Sequence, residues 1–403
     1  MANYSSPGVY IEEIEIGAKP IEGVSTSIAG FVGISEKVKN VAINEAVFIS
    51  SWGEYTNKFG RYTANACYLA PAVAGFFLNG GQRCYVISVG TDADGVVADD
   101  TTLDASYIGT DGDPGSRTGL QVFREIDEIS IVSIPGILSF EVQDALISHC
   151  VNMKDRFCIL DSIRSAVVTE VQTKNGLTSD KGFGAIYYPW IKVGVEQEIA
   201  NPNVAGETKI QLNQLFMPPS GYMTGIYARS DNERGVHKAP ANEKVRGVIE
   251  LEFPIGEGEQ GTLNPEGVNC IRAFKGRGIR VWGARTISDD SLWKYINVRR
   301  LFLYLEESID EATQWVVFEP NNEQLWDRVK QSVTNFLTQT WKEGALMGRS
   351  VEEAFFVKCD RTTMTQNDID NGRLIVKIGV AAVKPAEFVI FEIGQWTSSS
   401  ESA

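Results

Sequence analysis

Near the C-terminus, hydrophobic and polar positions alternate with a period of two. From residue 372 the sequence reads GRLIVKIGVAAVKPAEFVIFEIGQW, in which Leu374, Val376, Ile378 and Val380 alternate with Ile375, Lys377, Gly379 and Ala381. That spacing places the two sets on opposite faces of a strand. Lys384-Pro385 interrupts it, because proline has no N–H to give a ladder. A second extended run is expected over residues 387–393. Phe388 and Ile390 point to one face, and Val389, Phe391 and Ile393 to the other. A strand apolar on both faces calls for a covered position, yet only the polar TSSSESA tail comes after Trp396. Near the N-terminus, Pro7-Gly8 leads into another short apolar strand, Val9-Tyr10-Ile11-Glu12-Glu13-Ile14. Two such strands at the chain ends predict strand exchange between subunits.

Between the ends, Ile28-Ala29-Gly30-Phe31-Val32-Gly33 and residues 83–89, 129–134, Phe157–Asp161 and 185–190 read as buried strands. Helical periods are read over residues 68–79, where Asn79-Gly80-Gly81 supplies a stop, over Phe140–Met153, and after Pro218-Pro219-Ser220-Gly221, in a helix that carries Arg229. Short apolar strands alternating with helices predict an α/β domain with a largely parallel sheet. Residues 191–216 are a polar excursion, read as a hairpin. Residues 229–246 read as a charged, aperiodic loop, and 254–268, rich in Gly and Pro, as a linker. Beyond them come two strands, helices over 292–313 and Glu323–Lys342, and further strands, the order of an α+β domain. The expected organisation is an arm over 1–20, an α/β domain over 21–265 with a small surface insertion at 91–118, an α+β domain over 266–386, and an exchange strand and tail over 387–403. Residues 17–20 and 381–386 are expected to act as tethers.

Composition narrows the function. The 403 residues carry a formal net charge of -15, which argues against nucleic acid as the main partner, since phosphate calls for a basic surface. No window is apolar enough to span a bilayer. Glu12, Glu13 and Glu15 stand where a secretory signal would be apolar, so folding in the cytoplasm is expected. Six cysteines are scattered without a C-x-x-C pair and read as buried thiols.

Chemistry is mostly excluded. His149 and His237 are the two histidines, and no Gly-x-Ser-x-Gly elbow surrounds a serine. No cluster has metal-ligand spacing and no phosphate-cradling loop occurs, so neither cofactor, metal nor catalytic site is expected. Asp161, at a strand end, reads as structural. On the second long helix, Leu325, Val329, Val333, Phe336 and Leu337 form a core face, and Asn322 and Gly344 mark its ends. The polar face, with Arg328, Lys330 and Lys342, reads as solvated or as a docking surface.

Several blocks in order resemble contractile tail sheath proteins of phage tails and phage-tail-like injection particles. They are Ser5-Ser6-Pro7-Gly8-Val9-Tyr10-Ile11-Glu12-Glu13, the RSDNERGVHKAPAN stretch from Arg229, Trp282-Gly283-Ala284-Arg285-Thr286, Asn297-Val298-Arg299-Arg300, Glu353-Ala354-Phe355-Phe356-Val357-Lys358-Cys359-Asp360 and Pro385-Ala386-Glu387-Phe388-Val389-Ile390. The resemblance implies a structural, non-enzymatic subunit. Six-fold rings would stack helically around an inner tube protein and contract to drive that tube through a target envelope. It implies an outer subtilisin-like α/β domain without a triad. It also implies an inner α+β domain whose sheet is completed by neighbours' terminal strands. Expected partners are further copies of the chain, the tube protein, and baseplate and terminator proteins, with no direct membrane insertion. The resemblance further implies particles that would be assembled in the cytoplasm and, in some cases, released. The interface residues would be Val9, Tyr10, Ile11, Phe388, Val389, Ile390, Phe391 and Ile393, and the tube contact Arg328, Lys330 and Lys342. The rival readings are another self-assembling tail or baseplate protein, or a subtilisin-like hydrolase.

Overall fold

The strand AGFVGIS, Ala29–Ser35 (β1), is buried along its whole length, as a strand covered on both faces must be. It lies inside an eight-stranded sheet in a computed structural model that describes residues 20–98, 101–202 and 207–390. The remaining strands of this sheet are Ala46–Ile49 (β2), Cys84–Thr91 (β3), Ile131–Ser133 (β4), Phe157–Asp161 (β5), Gly184–Tyr188 (β6), Val268–Phe274 and Gly278–Trp282. Between β6 and the last two come Ile191–Ala200 (β7), Thr208–Met217 (β8) and Val248–Leu251 (β9), so those two are β10 and β11. The order is β11-β10-β6-β5-β4-β1-β3-β2. Every inner pairing is parallel, and only the edge strands β2 and β11 run antiparallel to their neighbours.

Helices cover the sheet. Leu69–Leu78 (α1) and Ser220–Arg234 (α3) approach very closely, because a Cβ on Gly221 would meet the Ala72 Cα at 2.4 Å and one on Gly225 the Phe76 carbonyl oxygen at 2.4 Å. Residues 220–230 of α3 are all buried, so this helix is enclosed rather than amphipathic. Phe140–Met153 (α2) begins where Ser139 Oγ accepts the Val142 N–H and ends at Lys154 in the left-handed region. The polar excursion is the hairpin β7–β8, joined by β9 in a three-stranded sheet.

The described residues divide into two compact units, a larger one from Ser25–Tyr304 with residues 383–390, and a smaller one from Leu305–Ala382 with residues 20–24. The helix Ile296–Thr313 (α4) contributes residues to both. The smaller unit holds Glu323–Lys342 (α5), capped by Asn322, whose Oδ1 accepts the Leu325 N–H at 3.0 Å. It also holds a two-stranded antiparallel sheet of Phe355–Lys358 (β12) and Lys377–Val380 (β13).

Four expectations differ from the structure. A boundary at residue 265/266 would cut β10 and β11 from the sheet in which β10 pairs with β6, so the division falls at 304/305 instead. The stretch 91–118 is not only surface, because Ala98 and Tyr107 enter the main core and the Tyr107 hydroxyl donates to the Ala98 carbonyl at 3.0 Å. The charged run 229–234 is helical, because Arg229 and Asp231 spend their charges on buried partners. The Gly-rich stretch 254–268 contains the helix Glu257–Leu263, where the Glu259 side chain accepts the Gly256 N–H at 2.9 Å.

Candidate functional site

The C-terminal segment leaves the smaller unit through β13. The Ala381 N–H donates to the Ala354 carbonyl at 2.8 Å, and the Met347 N–H to the Ala381 carbonyl at 2.7 Å. Two residues later Asn297 Nδ2 donates to the Val383 carbonyl at 3.0 Å and to the His237 carbonyl at 2.9 Å. Asn297 Oδ1 is buried without a hydrogen-bond partner among the described residues, which costs about 1–3 kcal/mol. The fold therefore holds this side chain for its donors. Ala381 is thus bonded within the smaller unit and Val383 within the larger one.

Glu387 is the second fixed point. Arg285 Nε and Nη2 each donate to one of its carboxylate oxygens at 2.8 Å, the bidentate geometry of a strong pair. Asn264 Nδ2 adds a bond at 2.7 Å and the Tyr295 hydroxyl one at 3.1 Å. Burial raises the Glu387 pKa, but the bonds from Arg285, Asn264 and Tyr295 outweigh it and leave it lowered. Arg285 is itself held by the buried Asn269 of β10, whose Oδ1 accepts the Arg285 N–H at 2.7 Å and whose Nδ2 donates to its carbonyl at 2.7 Å.

Directly after this anchor, the chain presents Phe388 at 72% exposure, Val389 at 68% and Ile390 at 82%. A carboxylate tied down by four hydrogen bonds is followed by three large apolar side chains in water. Phe391, Ile393, Val9, Tyr10 and Ile11, expected in the same role, lie outside the described residues.

The β12–β13 sheet is the complementary feature. Apart from the bridge between Leu346 and Ala382, its outer edges have no strand partner among the described residues. Phe356 at 52% and Ile378 at 36% exposure stand on it. An isolated two-stranded sheet is marginal, and an open edge is a template for another strand.

On α5, Arg328, Lys330 and Lys342 are all exposed but do not form one patch. Fourteen residues bring Lys342 back to within about 40° of Arg328, some 21 Å along the axis, whereas Lys330 lies about 200° around. Arg328 stacks over the Trp315 ring at 4.5 Å. Lys330 faces the Cys359-Asp360 end of β12, where its charge lowers the Asp360 pKa after the larger effect of the Thr362 hydrogen bonds.

Groups that resemble catalytic ones are sealed. Ser220 is fully buried and donates from Oγ to Asp161 Oδ2 at 2.6 Å and from N–H to Oδ1 at 2.8 Å, while the Gly136 N–H reaches Oδ2 at 3.0 Å. Burial pushes the Asp161 pKa up to about 6 against these hydrogen bonds. The carboxylate thus caps α3 from the end of β5. Burial, with the charge of Arg156, depresses His149 to about 3. Among the described residues no group of three or more His, Cys, Asp or Glu side chains could hold a metal.

A closed α/β body with an anchored but uncovered terminal segment defines a structural building block. Known proteins agree. Residues 119–287 match the phage tail sheath protein central domain and 288–395 the phage tail sheath C-terminal domain. The sheath complex of an extracellular contractile injection system, PVC, in its contracted state is 31% identical with a TM-score of 0.77, over 100% of this chain and 99% of that one. The contracted helical sheath of the anti-feeding prophage is 32% identical with a TM-score of 0.73, over 97% and 99%. The tail sheath protein of Escherichia phage P2 is 26% identical over 78% of this chain and 77% of its own. The chain belongs to the contractile tail sheath family and is a structural sheath subunit of a phage tail or phage-tail-like particle.

Proposed function

We propose that copies of this chain form six-fold rings stacked around an inner tube, joined by strands exchanged at their termini. Contraction then moves between two packings of the same folded units. The observation that carries this reading is that one chain holds both the exposed run Phe388-Val389-Ile390, rooted at Glu387, and the open-edged β12–β13 sheet. Strand addition supplies backbone hydrogen bonds for affinity and alternate side chains for register. It also gives a head-to-tail contact, which an open helical array requires.

Magnitudes favour a lattice over a pair. Burying each of the three side chains contributes about 1.5–3 kcal/mol. Bringing two chains together costs about 4–15 kcal/mol. One arm is therefore marginal, and several arms per subunit reinforce one another. The largely parallel sheet and the sealed Ser220–Asp161 pair support reading the larger unit as a subtilisin-like frame without a triad. The expected domains at 21–265 and 266–386 become, in this proposal, a frame up to residue 304 and an inner module over 305–382.

Removing residues 388–403 tests the reading while leaving Glu387 in place. The truncated subunit is expected to be soluble, with unchanged melting, and unable to form sheaths. Long tubular sheaths from that variant in electron micrographs would refute it. For the tube contact we propose Arg328 and Lys342, which share one side of α5, rather than Lys330. Charge reversal of that pair is expected to weaken sheath–tube co-assembly at least about tenfold, a loss of about 1.4 kcal/mol, with no change in subunit melting. Co-assembly at the wild-type level would reject this placement.

A further inference from the structure

The roots of the two terminal segments meet on α4 and the residue just before it. On the C-terminal side, Tyr295 holds Glu387 and Asn297 holds the Val383 carbonyl. On the N-terminal side, Arg300 Nη2 donates to the Thr26 carbonyl at 2.8 Å. Arg300 also grips Asp231 with both terminal nitrogens, at 2.9 Å and 2.6 Å, and Thr26 Oγ1 donates to the same carboxylate at 2.7 Å. The ion pair is buried, with 3% exposure on each side chain, and the guanidinium lies over the Tyr227 ring at 4.9 Å.

Asn297 and Arg300 are three residues apart on α4 and so lie on one face of it. Tyr227 and Asp231, four apart, form the matching face of α3. Asn297 also binds the His237 carbonyl, just beyond the end of that helix. The start of α4 and the end of α3 therefore make one clamp that closes on Thr26 from one terminus and on Val383 and Glu387 from the other. A buried, doubly bonded Arg–Asp pair has one good geometry, so it does not yield continuously when one side is pulled.

We propose that this clamp couples the two terminal arms, so that loosening one root loosens the other. Tyr295, Asn297 and Arg300 act here as positioning residues. The proposal rests on the exchanged-arm reading and extends it. A pull on the strand donated to one neighbour would reach the strand donated to another through a single helix, without passing through the sheets.

Hydrogen exchange on the full-length, unassembled subunit tests the coupling separately from assembly. In Glu387→Ala, amides over 381–387 are expected to exchange about tenfold faster, the order of losing a charge-assisted hydrogen bond. Amides over 24–28 should also accelerate, by at least about threefold, while those of α2 stay unchanged. Glu387→Gln should restore part of the protection at both roots. The reciprocal variant Thr26→Val should accelerate 381–387. Acceleration confined to the root that carries the substitution, in both variants, would overturn the coupling. That outcome would leave the exchanged-arm reading standing, since the truncation at 388 tests it independently.

Discussion

The eight-stranded sheet and the β12–β13 pair are built from similar apolar residues and end in opposite conditions. In β1 every position is buried, because parallel neighbours lie on both sides and its side chains enter two core clusters, Ala29 and Phe31 one and Val32 and Ile34 the other. In β12 the pattern alternates, with Phe355 and Val357 buried and Phe356 and Lys358 exposed, and the only strand beside it among the described residues is four residues long. The larger sheet answers its own hydrogen-bonding and burial needs within one chain. The smaller one does so in part, as does the run after Glu387. Completeness is therefore distributed unevenly along this molecule, and the unfinished parts are those a partner can use.

Substitutions should separate the two conditions. Phe76 is fully buried between β1 and the helix layer, its ring edge-on to Phe31 at 5.6 Å. Phe76→Ala is expected to cost the subunit about 3–5 kcal/mol, read by urea denaturation. Phe388→Ala should leave subunit stability within about 0.5 kcal/mol and reduce sheath yield. A large loss of subunit stability for Phe388→Ala would mean that the arm packs on its own chain and would erase the contrast.

A smaller effect tests how tightly the larger unit is closed. Asp161 titrates at about 6 in the fold against an ordinary 3.8, so the folded state binds the extra proton between these values. Its contribution is full below the ordinary value and is lost as pH rises through about 6. His149, depressed to about 3 from 6.5, acts in the opposite sense, and its contribution is lost as pH falls below about 6.5. Between about pH 4 and 6 the two slopes oppose each other. Asp161→Asn removes one of them, so its stability relative to the wild type should rise by about 1.4 kcal/mol per pH unit across that window. A pH-independent difference would show that Asp161 is ionised throughout.

Much of this was legible in the sequence where one period dominates. Phe140–Met153, Phe157–Asp161 and Glu323–Lys342 fall where their periodicity and caps place them. Period alone misplaced residues 374–380, of which only Lys377–Val380 finds a strand partner. Charge misled at 229–234, because Asp231 and Arg300 cancel each other across 69 residues. The anchor at Glu387 was not visible. One carboxylate in an apolar run gives no local signal, and its partners Arg285 and Asn264 lie 102 and 123 residues away. The run at Phe388-Val389-Ile390 stood out because its pattern is apolar at successive positions, on both faces of an extended chain.

The central claim is that the run beginning at Phe388 is completed by another copy. A cryo-EM map of the assembled particle tests it most directly. The account predicts residues 388–393 extended along an open edge of the β12–β13 sheet of a neighbouring subunit, with Glu387 still on its own Arg285. A map in which each subunit folds that run back onto its own sheet would contradict it.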